Sequence, residues 1–398
     1  MKKSILVLMS VMTILAMLLT ACASPTAAPT TDAPTQAPAT EVPVQAPADT
    51  EVPTEVPPAE PTTASPCLII GALYVGSITD AGFNQAMHDS VMEVKKNIPC
   101  VEIIEAENVP EGPDAEKTMH TMIDQGAKLI IPTSFGHQEP AFSLSEKYPD
   151  VVFEHAGGYM MSGNFANFFG KPPETFYIMG AAAGMMTKSN KLGFIAAFPM
   201  GWSITFINSF ELGAQSTNPE AETIVNWTFS WSDSAKEAAA TDALINQGVD
   251  VVAMHVDAPG TIIQTAEARG VYSIGFQSLA AQQFAPKYWL TGVGFTLGGK
   301  LTWFAQSVMD KTWEPIFLRC GVADGCMAIA PFGPNVPQDV QDKVNALVGE
   351  LNDGTLVVFK GPVIDQAGDV RVAEGKTLGD EDMGNVDWFV KGVIGNTK

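Results

Sequence analysis

Met122-Ile123-Asp124-Gln125-Gly126-Ala127-Lys128-Leu129-Ile130-Ile131 aligns residue for residue with Leu244-Ile245-Asn246-Gln247-Gly248-Val249-Asp250-Val251-Val252-Ala253. Each copy reads as the end of a helix, a glycine that stops it, and a strand apolar enough to be buried on both faces. At nearly the same offset, the apolar run 68–73 matches 192–197, and 151–154 matches 271–274. One α/β unit therefore occurs twice. Helical stretches at 85–96, 115–125, 206–215 and 235–247 alternate with these strands, a pattern that specifies parallel sheets covered on both faces and wound by right-handed crossovers. The expected fold class is α/β, with two lobes built on parallel sheets.

In such sheets ligands lie beyond the carboxyl ends of the strands. The loops there are 74–84, 133–138, 155–159, 198–202, 255–259 and 276–278. They supply Tyr74, Phe83, Phe135, Tyr159, Trp202 and Phe276 together with Asp80, Asn84, His255, Asp257 and Gln277, and they contain no Arg or Lys. Flat apolar faces with a few directed donors and acceptors suit a planar, neutral, nitrogen-rich ring better than a phosphate, a carboxylate or a sugar acid. Core packing is the competing reading for Phe135 and Phe276, and less so for Phe83 and Trp202, which sit in Gly-flanked loops.

The amino-terminal end has a different character. Behind Lys2 and Lys3 an apolar run, residues 5–19, is shorter than the roughly 20 residues of a spanning helix and leads into Leu19-Thr20-Ala21-Cys22. That sequence reads as a lipoprotein signal that leaves a lipid on Cys22. Residues 23–66 are almost wholly Pro, Thr, Ala, Val, Gln and acids, without Lys, Arg or an aromatic. Such a segment cannot bury enough apolar surface to offset its ordering entropy, and the expectation is a disordered, Pro-stiffened stalk. The formal net charge of −22 lies mostly on the body that follows. An acidic body argues against nucleic acid or anionic lipid as a partner, since both are held through Lys and Arg.

Once Cys22 is set aside, Cys67, Cys100, Cys320 and Cys326 remain, an even number in an oxidising compartment. Three pairings are possible. Cys67 with Cys100 is favoured because each opens an expected parallel strand of one sheet, which leaves Cys320 and Cys326 to close a small loop. A zinc site is the alternative, but neither the spacing nor a nearby His follows the usual ligand patterns.

Val75-Gly76-Ser77-Ile78-Thr79-Asp80-Ala81-Gly82-Phe83-Asn84, then 180–188 with its Met-Thr-Lys ending, Phe198-Pro199-Met200, 227–231 and His255-Val256-Asp257-Ala258-Pro259 are similar to a known family. Gly361-Pro362-Val363-Ile364-Asp365 and Asp387-Trp388-Phe389-Val390-Lys391-Gly392-Val393 extend the likeness almost to the carboxyl terminus. The chain resembles the basic membrane protein family of solute-binding lipoproteins, which serve ABC importers and carry purine nucleosides or related bases. The resemblance implies a type I periplasmic-binding-protein fold: a first lobe of 67–170 with part of 291–318, and a second of 171–290 with about 319–398. It implies binding rather than catalysis, no cofactor, an importer permease as partner, and a monomer. It also implies that Phe83 and Asn84 are first-lobe stacking and polar contacts, with Asp80 holding the loop or the ligand. Phe169 and Trp202 would add aromatic faces, and His255 with Asp257 would match the family's adenine-type loop.

Two departures bear on the ligand. The nucleoside-binding branch has an Asp for ribose before the last crossover and a Lys after Leu-Thr-Ser, whereas Phe276-Gln277-Ser278 and Leu290-Thr291-Gly292-Val293-Gly294 offer neither. A free, adenine-like base becomes the better expectation, with Gln277 reading a ring edge. An enzyme using His255 and Asp257 is one rival, but the chain has no nucleophile elbow, P-loop or zinc-protease motif. A same-fold sensor or sugar-binding protein is the other.

Overall fold

Gly126 and Gly248 take φ of +98° and +93°, a conformation that costs a residue with a Cβ but not glycine. In the first copy the Ala127 and Gly126 amides donate to the carbonyls of Met122 and Ile123; in the second, the Val249 and Gly248 amides donate to those of Leu244 and Ile245. These are two Schellman stops of identical wiring, and each turns a helix into a buried strand.

The computed structural model describes residues 65–398. The expected signal segment, Cys22 and nearly all of the expected stalk lie outside the described residues. Strand β1 (Leu68–Leu73), helix α1 (Phe83–Asn97), β2 (Val101–Ala106), α2 (Pro113–Asp124), β3 (Leu129–Pro132), α3 (Gln138–Lys147), β4 (Val152–Ala156) and β5 (Phe165–Gly170) form the first lobe. Helix α4 (Pro172–Met186) opens the second, followed by β6 (Lys191–Ala196), α5 (Gly201–Thr217), β7 (Glu222–Trp227), α6 (Ser234–Asn246), β8 (Val251–His255), α7 (Gly260–Arg269), β9 (Tyr272–Gln277) and β10 (Trp289–Phe295). Helix α8 (Gly298–Asp310) and β11 (Phe317–Cys320) return to the first lobe, and β12 (Met327–Ile329) with α9 (Gln338–Asn352) to the second. A tail carries β13 (Val363–Ile364), β14 (Val370–Val372), α10 (Asp380–Met383) and β15 (Val393–Ile394).

The first sheet has the order β11-β5-β4-β3-β1-β2, and the second β12-β10-β9-β8-β6-β7-β15. All pairings within them are parallel except β10 with β12. The expected lobe boundaries need adjustment. Gly292 of β10 sits opposite Gly275 of β9, so the chain leaves the second sheet only after Phe295 and not from residue 291. Strand β11 pairs with β5 through Cys320, which carries the first lobe past residue 318. Disulfides join Cys67 to Cys100 and Cys320 to Cys326. The first ties the starts of neighbouring strands; the second closes the loop between the lobes.

Several ionisable groups lie inside these layers. Glu154 of β4 is fully buried; its Oε1 accepts from Trp313 Nε1 at 2.6 Å, while Oε2 has no partner among the described residues. Burial outweighs that bond and pushes its pKa up to about 8, and burial likewise pushes Glu211 up to about 7. Burial pulls His155 down to about 4 and His255 to about 3. Buried histidines favour folding increasingly as pH climbs from about 4 to the unfolded value of 6.5, then contribute no further change. The raised carboxyls act oppositely. The folded state keeps a proton that the unfolded chain releases above about 4.5, so stability drains away as pH rises to about 8. Above pH 6.5 only the carboxyl effect remains. Calorimetry should therefore show Tm falling between pH 6.5 and about 8, and Glu154→Gln should flatten that fall.

Candidate functional site

The carboxyl ends of the two sheets face a common cavity of about 400 Å³. Its walls come from both lobes because β1, β3, β4 and β5 on one side, and β6, β8 and β9 on the other, each release a loop there. Phe83, Phe135, Tyr159 and Phe169 line it from the first lobe; Trp202, Phe206, Trp231, His255, Asp257 and Gln277 line it from the second. The aromatic walls are tied to one another. Phe83 lies 6.3 Å from Phe169, Trp202 lies 6.4 Å from Phe206, and Trp231 lies 5.5 Å from His255.

Main-chain contact joins the lobes at one edge of this cavity. The Phe83 amide, at the start of α1, donates to the Asp257 carbonyl at 3.0 Å. A Cβ on Gly82 would stand 1.8 Å from that carbonyl oxygen and 2.6 Å from Pro259 Cδ. Only glycine permits this approach.

The polar groups divide into those fixed by the protein and those turned to the cavity. Asp80 accepts from the amides of Gly82 and Gln85 on one oxygen, and from the Asn84 amide and Asn84 Nδ2 on the other. Asn84 Oδ1 accepts from the Gly76 amide. Neither side chain lines the cavity; both build the turn that starts α1, so of the two roles open to Asp80 these bonds serve the loop, and Asn84 spends its carboxamide there instead of on the cavity. Tyr74 is buried with its hydroxyl donating to Glu105, and Phe276 is buried behind His255, so these two are core as well. Phe135 is the reverse case, 47 % exposed and paired with Tyr159 at the rim.

His255 shares a hydrogen bond of 3.1 Å between Nδ1 and Ser203 Oγ and stays neutral, its pKa held near 3 by burial. Burial first, and the Asp80 carboxylate second, push Asp257 up to about 8. At pH 7 it is therefore chiefly a neutral carboxyl with an O–H to donate. Gln277 is 3 % exposed, holds φ of +78°, and leaves its Oε1 without a hydrogen-bond partner among the described residues. A non-glycine residue in the left-handed region and an unpaired buried carbonyl each cost about 1–3 kcal/mol. Both costs fall on one residue, one on its backbone and one on its side chain, in the wall of one cavity.

Arg319 was not legible in advance and overturns the expectation of a wall without cations. It reaches the cavity from β11, donates to the carbonyls of Leu318 and Gly158 at 3.1 and 3.0 Å, and stacks 3.9 Å over Phe317. Its strand joins the first sheet beside β5 after the chain has crossed twice between lobes, so no local spacing points to it. Trp231, from the loop after β7, and Gly384 with Asn385, from the tail, were likewise outside the loops singled out. A signal for Trp231 existed: its strand ends on the same edge as β6.

The family model for ABC transporter substrate-binding proteins of the PnrA-like Bmp type matches residues 68–355. A purine-binding protein of Brucella abortus (strain 2308) is 35 % identical over 82 % of this chain and 93 % of its own length. A putative ABC transporter glucose-binding protein of Haloferax volcanii is 31 % identical over 75 % of each. Among solved structures, an ABC solute-binding protein from Conexibacter woesei superposes with a TM-score of 0.62 at 20 % identity, covering 73 % of this chain and 97 % of that one. That last likeness establishes the fold. The two-lobed α/β architecture, the cavity between its sheets and the match over most of the body agree, and the chain belongs to the Bmp family of ABC transporter substrate-binding proteins.

Proposed function

We propose that this protein captures a purine base, adenine-like, or a purine nucleoside between its lobes and delivers it to an ABC importer. The observation that carries the reading is Gln277: a buried, unpaired carbonyl oxygen held in a costly backbone conformation and facing an aromatic cavity. A ring N–H would satisfy it. The Asp257 carboxyl, protonated at neutral pH, adds a donor for a ring nitrogen or carbonyl. Phe83 and Phe169 on one side and Trp202 on the other offer π-faces, each stacked pair contributing about 0.5–1.5 kcal/mol beyond buried area.

Closure gives the binding event its output. A ligand touching both lobes favours the closed state by the difference of its affinities for the two states, and the permease then meets the closed surface. The protein acts outside the cytoplasm, tethered as a monomer through a lipid on Cys22; the two disulfides suit an oxidising compartment. No catalytic step is assigned to the site.

Titration calorimetry with adenine, hypoxanthine, guanine, adenosine, inosine and glucose tests the reading. A purine should bind and glucose should not. Trp202→Ala and Asp257→Ala should each weaken purine binding by about tenfold or more. Unchanged affinity for every purine in both variants rejects the site assignment, and binding of glucose alone favours the sugar-binding alternative.

A further inference from the structure

The family model ends at residue 355, yet the chain beyond it is built into the second lobe. Thr205 Oγ1 donates to the Met383 carbonyl at 2.8 Å. Asn208 donates from Nδ2 to the Trp388 carbonyl and accepts on Oδ1 from the Val390 amide, both at 2.9 Å. Strand β15 then adds to the sheet beside β7. These bonds fix the tail on α5, the helix that begins next to Trp202.

The closest approach is made where the tail enters the ligand cavity. A Cβ on Gly201 would stand 1.9 Å from the Gly384 carbonyl oxygen, and one on Gly384 would stand 3.2 Å from Trp202 Nε1. Gly384 and Asn385 line the cavity as a result. The Asn385 amide nitrogen of the backbone is held by the Asp382 carbonyl at 3.0 Å. Its side chain makes no hydrogen bond within the described residues. A carboxamide placed in a cavity wall on an anchored backbone, with its donor and acceptor both unused, is arranged to read a ligand.

We propose that the tail is a third wall of the ligand site and that Asn385 is a ligand-reading residue, paired with a ring edge that presents a donor beside an acceptor. Adenine, with N6–H beside N1, and hypoxanthine, with O6 beside N1–H, carry such a pair on the edge with the exocyclic group, which is the edge assigned to Asn385; unsubstituted purine offers a donor beside an acceptor only at N9–H and N3. The inference rests on the purine reading above and goes beyond it by assigning recognition to a segment outside the family model.

The test is titration calorimetry of the full-length protein with adenine, hypoxanthine and unsubstituted purine. The wild type should prefer the first two. Asn385→Ala should weaken adenine or hypoxanthine by about tenfold, the cost of one lost hydrogen-bonding pair, and purine clearly less, so that the preference shrinks. Asn385→Leu keeps the bulk, loses the amide and should behave the same way. Residue 385 is exposed, so Tm should hold in both variants. Unchanged affinities overturn the proposal, as does an equal loss for all three rings, which would make the residue part of the cavity's shape alone. A wild type that binds none of the three overturns the purine reading and this inference together.

Discussion

Gly82→Ala is expected to lower ligand affinity by roughly 10- to 100-fold while leaving the Tm of the unliganded protein unchanged. The new Cβ would stand 1.8 Å from the Asp257 carbonyl oxygen and 2.6 Å from Pro259 Cδ. Overlap of that kind costs about 1–3 kcal/mol where the surroundings yield, and more where they are backbone. The clash is between lobes, not within one. In the open form that the proposed closure requires, the lobes would part at this point, so the cost is expected on closure and not on folding. The Phe83 amide would lose its bond to the Asp257 carbonyl at the same time. Calorimetry with the best purine, alongside a melting curve, measures both halves. Wild-type affinity in Gly82→Ala would contradict the closed arrangement of the two lobes.

Gln277→Gly is expected to raise the Tm of the unliganded protein and to cost about tenfold or more in affinity. The glycine relieves a φ of +78° and removes a buried carbonyl that has no partner. Each relief is worth about 1–3 kcal/mol, against a backbone entropy penalty of about 0.5–1 kcal/mol for glycine and about 0.5–1.5 kcal/mol for the lost side-chain hydrogen bond to Asp257. Ligand binding loses the acceptor that the strained conformation presents. Stability and affinity should thus move in opposite directions at one position, as expected where strain is held for binding. A variant that loses stability while keeping full affinity would show that Gln277 is a structural residue.

Much of this arrangement can be read in the sequence, for local reasons. The Gly126 and Gly248 stops are legible because each needs one residue type at one place, and the strands that follow them fix the edge of the sheet where loops collect. Phe83, Phe169, Trp202, His255, Asp257 and Gln277 meet at that edge. Asp80 and Asn84 stand in the right loop but bond within it, because short polar side chains near a helix start bond to nearby backbone as readily as to a ligand, and sequence does not say which. Tyr74 lies in the right loop but turns its ring inward to Glu105. Arg319 and Asn385 depend on how the second crossover and the tail bring the chain back to the cavity, a property of the assembled fold, whereas Trp231 follows a strand that ends on the same edge as β6 and was legible in principle.

The account depends most on what fills the cavity. A crystal structure of the protein grown with the purine that calorimetry ranks first is the direct measurement. The ring should lie between the Phe83–Phe169 side and Trp202, with a ring N–H within hydrogen-bond distance of Gln277 Oε1. A ring bound elsewhere, or lobes that stay apart around an empty cavity at saturating ligand, would contradict it.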